Sequence, residues 1–174
     1  MRRHVRITVR GGLCAMAISC SDPVHDQLVQ ALGPEDPAVP PGPSHRPGQP
    51  CLACHGGMGP ATTEFSAGGT VYMTEGRNAP ADQALVQIED IDGRVVKAPT
   101  SSVGNFFVAP SQIQFHYPIL MRVMSSDGRQ TEQMFSVSNR SGSCADCHFL
   151  PPGPNSPGPV FLFPNLNLGG DAGM

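Results

Sequence analysis

The stretch Ala84-Leu85-Val86-Gln87-Ile88-Glu89-Asp90-Ile91-Asp92-Gly93-Arg94-Val95-Val96-Lys97-Ala98 decides the fold. Ala84, Val86 and Ile88 alternate with Gln87 and Glu89, the period of two that sends one row of side chains inward and the other outward. Asp92-Gly93 follows, and a second strand-like run begins at once. An Asp-Gly pair between two such runs is a strong short-range hairpin signal, because the turn needs positive φ. The stretch therefore predicts two antiparallel strands, 84–90 and 94–98.

The same texture extends outward from about Phe65 to Val137. Further strands are expected at 68–73, 105–109, 118–125 and 130–137, the last two joined at Asp127-Gly128. Short strands broken by frequent turns predict a mainly β fold, a small antiparallel β-sandwich over residues 65–138. Gly69-Thr70-Val71-Tyr72, Pro80, Ala84 to Ile88, Asp92-Gly93 and Gly104-Asn105-Phe106 together resemble the carboxypeptidase regulatory-like domains. That resemblance covers about residues 66–138. It implies a prealbumin-like sandwich and says almost nothing about function.

The flanks have another composition. The 174 residues include 19 Pro and 20 Gly, with 14% charged residues and no Trp, and the Pro and Gly gather before and after the sandwich. Arg2, Arg3, Arg6 and Arg10 precede the mostly apolar run Gly11 to Ser19, so residues 1–20 read as an export signal. Ala17-Ile18-Ser19-Cys20 resembles a bacterial lipobox, with Ala17 where leucine is usual, and makes Cys20 the candidate lipidation site. The alternative is an ordinary signal peptide cleaved nearby. Arg2-Arg3 is followed by a poor match to the twin-arginine pattern, which favours the general secretory route. Residues 21–50 open with a short helical piece, Val24 to Leu32, and become a proline-rich linker with few apolar side chains to pack. Residues 139–174 form a second irregular segment, in which Val160 to Phe163 is an apolar patch that either packs or stays loose.

Two five-residue stretches bracket the sandwich: Cys51-Leu52-Ala53-Cys54-His55 and Cys144-Ala145-Asp146-Cys147-His148. Each reads C-x-x-C-H, the attachment signature of a c-type haem. Two thiols three positions apart each add S–H across one vinyl C=C of the same haem, leaving two thioethers and expelling nothing. The adjoining histidine then meets the iron as proximal ligand. Such a tether needs no large enclosing core. Cys51, Cys54, His55, Cys144, Cys147 and His148 are thus the candidate residues for two covalently attached haem c groups, irregular Pro/Gly-rich segments 51–64 and 139–174 carrying them. A structural zinc is one rival, but its cysteine pairs usually stand roughly 15–20 residues apart. Zinc also gives no reason for a histidine after both pairs. A thioredoxin-like redox pair needs a βαβ context that is missing. Cys14 and Cys20 lie in the leader, so no cysteines remain for a separate disulfide framework.

The distal positions decide the chemistry, since a second imidazole favours a low potential and a thioether raises it. His45 is the first candidate, an irregular-segment histidine six residues before Cys51. His116, just before a strand, is the second. Met58 is only three residues from His55 and poorly placed for the opposite face of the same haem. Met73, Met121, Met124 and Met134 fall in strands and read as core. Six strands in up-and-down order would bring the two haem segments together, whereas seven would separate them.

Two haem motifs around such a sandwich resemble small secreted c-type cytochromes. The resulting expectation is an exported dihaem c-type cytochrome passing single electrons between redox partner proteins in the periplasm or cell envelope, membrane-attached through Cys20 if it is lipidated. No general base, nucleophile or phosphate loop accompanies the sandwich, which favours a carrier over an enzyme. The alternatives are a haem enzyme or redox sensor with an open iron position, and a binding module whose haems are secondary. Net charge is −3, with no basic stripe, so no nucleic-acid partner is expected.

Overall fold

The computed structural model describes residues 22–75 and 77–163. The export segment and Cys20 lie outside the described residues, as does the tail beyond Phe163. Alternation becomes strand where it was read. β1 (Ala67–Thr74) is paired along one edge with β2 (Arg77–Pro80) and β5 (Asn105–Val108), both antiparallel, and along the other with β8 (Val160–Phe163), parallel. The second sheet holds β3 (Leu85–Asp90), β4 (Val95–Pro99), β6 (Ile119–Met124) and β7 (Thr131–Gln133) in the order β4-β3-β6-β7, all antiparallel. The fold is mainly β, a small sandwich.

Ala84, Val86 and Ile88 are buried and Gln87 and Glu89 are not, as the period of two requires. With Val71, Val108 and Ile119 they fill the space between the sheets. The β3–β4 turn is built around Asp90 as well as the Asp-Gly pair. Asp90 Oδ1 accepts the backbone N–H groups of Asp92 and Arg94 at 3.1 and 3.0 Å, and Arg94 Nε donates to Oδ2 at 2.8 Å. Gly93 takes φ +76°, where side-chain-bearing residues are strained. Burial opposes ionisation of Asp90, but these bonds, the His116 N–H and the Arg94 charge outweigh it and hold the carboxyl below its ordinary range.

Three differences from the sequence reading matter for the site. The expected strand 130–137 is regular only over Thr131–Gln133, with Met134 N still donating to Met121 O, and Phe135 stands fully exposed. β2 and β8 lie where the sequence carries no strand signal. β8 forms because β1 leaves one edge free. There Gly68 N donates to Gly142 O at 3.0 Å, Val71 pairs with Val160, and Leu162 enters the core at 3% exposure.

β1 is also unusual in being buried on both faces from Ala67 to Val71. Ala67, Gly69 and Val71 face the core. Gly68 and Thr70 are covered instead by the segment that precedes the sandwich. The proline-rich linker is therefore docked, with hydrogen bonds tying it to β1 and β5. Gly48 N donates to Thr70 Oγ1 at 2.7 Å, and Asn105 Nδ2 donates to the carbonyls of Pro43 and His45 at 3.1 and 2.8 Å.

Candidate functional site

The first motif folds as a short helix, α2 (Cys51–His55), after the capped α1 (Pro23–Ala31). The residues after it wrap back around its end: Ala61 N donates to Cys54 O and Phe65 N to His55 O, at 3.1 and 2.8 Å. Gly59 lets this wrap close on α2, because a Cβ there would lie 2.4 Å from Ala53 O and 2.3 Å from Cys54 O. This wrap brings Thr63 O to 2.7 Å from His55 Nδ1. A carbonyl can only accept, so Nδ1 carries the proton and Nε2 presents its lone pair. Phe65 stacks on the His55 ring at 4.1 Å and on Phe107 at 4.6 Å, fixing the imidazole plane.

Across from His55 stands His45, its ring centre 5.7 Å away. Its Nδ1 donates to Gly42 O, so its Nε2 is free as well. Asn105 holds the backbone on both sides of this ring, as described above. Arg46 follows in the left-handed region, φ +48°, and pins the linker to α1 through the carbonyls of Leu32 and Gly33. His45, His55, Cys51, Cys54, Arg46 and Phe107 all line one cavity of about 570 Å³, within the range of cofactor sites.

The second motif opens with a 3₁₀ turn, Cys144–Asp146. His148 Nδ1 donates to Gly158 O at 2.9 Å, again leaving Nε2 free. The intervening loop is closed by Ser156, whose Oγ accepts from Phe149 N at 2.8 Å and donates to Phe149 O at 2.7 Å. A second cavity of about 330 Å³ is lined by Cys144, Cys147 and His148 together with Met121, Val123 and Met134.

Both motifs pack on β1, at adjacent residues. A Cβ on Gly68 would lie 3.4 Å from Cys51 Sγ, and one on Gly69 would lie 2.6 Å from Cys144 Sγ. Successive residues of a strand face opposite ways, so the two sulfurs flank one strand, on the order of 10 Å apart. The meeting comes from the free edge of β1, not from strand-count parity. Burial pushes the Cys51 thiol up to about 11 and the Cys144 thiol up to about 12. Among the described residues no group of three or more His, Cys, Asp or Glu side chains is placed to hold a metal ion.

His116 lines neither cavity. It is exposed, and its Nδ1 bonds to Asp92 Oδ2 at 2.5 Å. The structure therefore joins it to the β3–β4 turn and not to either haem motif. Asn105, Phe65 and the carbonyls of Thr63 and Gly158 escaped the sequence reading as site residues, since a positioning amide or carbonyl carries no motif. Comparison with protein-family models, curated proteins and solved structures finds no match to this chain.

The donor set suits a haem. His45 and His55, their ring centres 5.7 Å apart, would be the residues to hold its iron, as two imidazole donors. Arg46 Nε, buried in the wall of the same cavity, makes no hydrogen bond and lies 3.6 Å from Glu35 Oε1.

Proposed function

We propose that this chain is an exported dihaem c-type cytochrome that carries single electrons between redox partners. Cys51 and Cys54 would hold one haem with His55 as proximal ligand, and Cys144 and Cys147 the other with His148. The observation that carries the reading is the pair His45 and His55, each with Nδ1 tied to a carbonyl, their ring centres 5.7 Å apart in the wall of a cavity that Cys51 and Cys54 also line. Haem, once attached, supplies a one-electron Fe(III)/Fe(II) couple. The chain's own residues supply the rest. Thr63, Gly42 and Gly158 hold the imidazoles in one tautomer, which also raises their basicity toward iron. Asn105 and Gly48 keep His45 over the cavity. The half-buried Cys51 and Cys144 thiols, pushed up by desolvation, are weak nucleophiles in the folded chain, so thioether formation is favoured before these segments fold. Export to the periplasm or envelope, with Cys20 as lipid anchor, belongs to the same proposal; no helix of the described residues is long and apolar enough to cross a membrane.

The test is a haem assay and absorption spectrum of the full chain matured with covalent haem. Two haems per chain are expected, with a low-spin first centre that turns high-spin in His45→Ala. No covalent haem would end the proposal. An enzyme or sensor with an open iron position is favoured only at the second cavity, where His148 is the sole imidazole among the described lining residues.

A further inference from the structure

Docking of the linker shortens the leash between Cys20 and the folded body. Were residues 21–50 free, the body could stand up to about 100 Å from Cys20. Instead the linker is tied to β1 and β5, and α1 is tied to the linker. Arg46 donates to the carbonyls of Leu32 and Gly33, where the helix ends, at 3.1 and 2.6 Å. α1 also packs against α2, on the side of β1 that carries the first motif. Only Ser21 and Asp22 separate Cys20 from Pro23, the first residue of α1, a span of at most about 10 Å.

The helix so placed has more apolar surface than the body covers. His25, Val29 and Leu32 recur at i, i+4 and i+7 and are half-buried. Val24, Leu28 and Ala31 repeat that spacing one residue earlier and are exposed, Val24 at 74% and Leu28 at 46%. Residues so spaced share a helix face, so this second row is an apolar stripe flanking the packed one. The charges stay off it. Asp22 sits at the N-cap, its Oδ1 accepting the N–H groups of Val24 and His25 at 3.0 and 3.3 Å. Asp26 lies two positions from both Val24 and Leu28, about 160° around the helix from each. A stripe of three side chains is far smaller than the roughly 800 Å² per partner of a stable protein interface. It is enough to orient a body that acyl chains already hold.

We propose that α1 lies on a lipid bilayer, with Val24, Leu28 and Ala31 in the headgroup–acyl boundary, and makes the first cavity the membrane-proximal one. The inference rests on the reading of Cys20 as a lipid anchor. The lipid holds the chain, and the helix fixes which way up the body sits. Leu32 ends α1 and lines the first cavity, so His45 and His55 follow the helix to the membrane. The second motif packs on the opposite face of β1. α1 contains no Lys or Arg, so the contact is apolar and independent of anionic lipid.

The experiment uses the full haem-loaded chain carrying its Cys20 lipid, in phosphatidylcholine vesicles. With every other cysteine of the mature chain alkylated by haem or lipid, Ala31→Cys and Gln30→Cys each supply one thiol for a nitroxide label. Electron paramagnetic resonance then reads collisions with a water-soluble nickel chelate. The label at position 31 should be several-fold less accessible to the chelate than the label at position 30, with or without added phosphatidylglycerol. Adding Val24→Ser and Leu28→Ser should return the label at position 31 to water. Equal access at the two positions, or shielding confined to vesicles containing phosphatidylglycerol, overturns the inference. Shielding at position 31 that appears without vesicles as protein concentration rises overturns it too, and gives the stripe to a second copy of the chain. Intact mass of the same samples separates the failures. An unlipidated Cys20 defeats the anchor reading and this inference with it, whereas a lipidated chain with position 31 in water defeats only this inference.

Discussion

At Asn105 one amide serves three partners. Its Nδ2 donates to Pro43 O and His45 O, and its Oδ1 accepts from Thr70 Oγ1 at 2.7 Å. Neutral hydrogen bonds contribute about 1 kcal/mol each, so Asn105→Ala should lower the unfolding free energy by about 1–3 kcal/mol. Asn105→Asp should act in the same direction, because a carboxylate cannot donate to the two carbonyls. Urea denaturation of both variants checks this; an unchanged midpoint would mean the linker is held by something else. The sequence marked His45 as a ligand candidate from its position beside a motif. It could not mark Asn105, sixty residues away, because an amide that clamps backbone leaves no spacing pattern. His116 shows the converse. A histidine near a strand start looked available, and the fold placed it beside Asp92 instead.

The hairpin β3–β4 is the element whose sequence and structure agree best, and its stability depends on pH. Asp90 has its carboxyl held below the ordinary value of 3.8. A lowered folded-state pKa means that the unfolded chain binds the proton more readily. The stabilisation is therefore present above the ordinary value and lost as pH falls through the folded one. Asp90→Asn should be less stable than wild type at neutral pH, and the gap should narrow below about pH 4. Thermal unfolding across pH 2–7 measures it, and a constant gap would sink the assignment. β8 is the opposite kind of element. Nothing in Val160 to Phe163 distinguishes a strand from a loose apolar patch, because its partner is the edge of β1, some ninety residues earlier.

Across the whole molecule, the two attachment motifs close on opposite faces of β1 at Gly68 and Gly69, where no side chain intervenes. Under the cytochrome proposal, two redox centres held this close should sense each other's charge. In a chain with Cys51 and Cys54 both changed to Ala, the remaining centre's reduction wave should shift from its position in the dihaem protein. Potentiometric titration reads the shift, and an identical wave would show that the centres are independent. The sequence by itself determined what is local: the period-two strands and Asp-Gly hairpins, which are encoded within a few residues, and the C-x-x-C-H spacings, which carry the expectation of haem. Only the tertiary structure decided that β8 closes the free edge of β1, that the proline-rich linker docks, that His45 rather than His116 faces a motif, and that the motifs meet. β8 and Gly142 join β1 through backbone hydrogen bonds, which almost any residue can make, and the linker docks through single distant side chains such as Asn105 and Thr70, so neither leaves a pattern in local spacing.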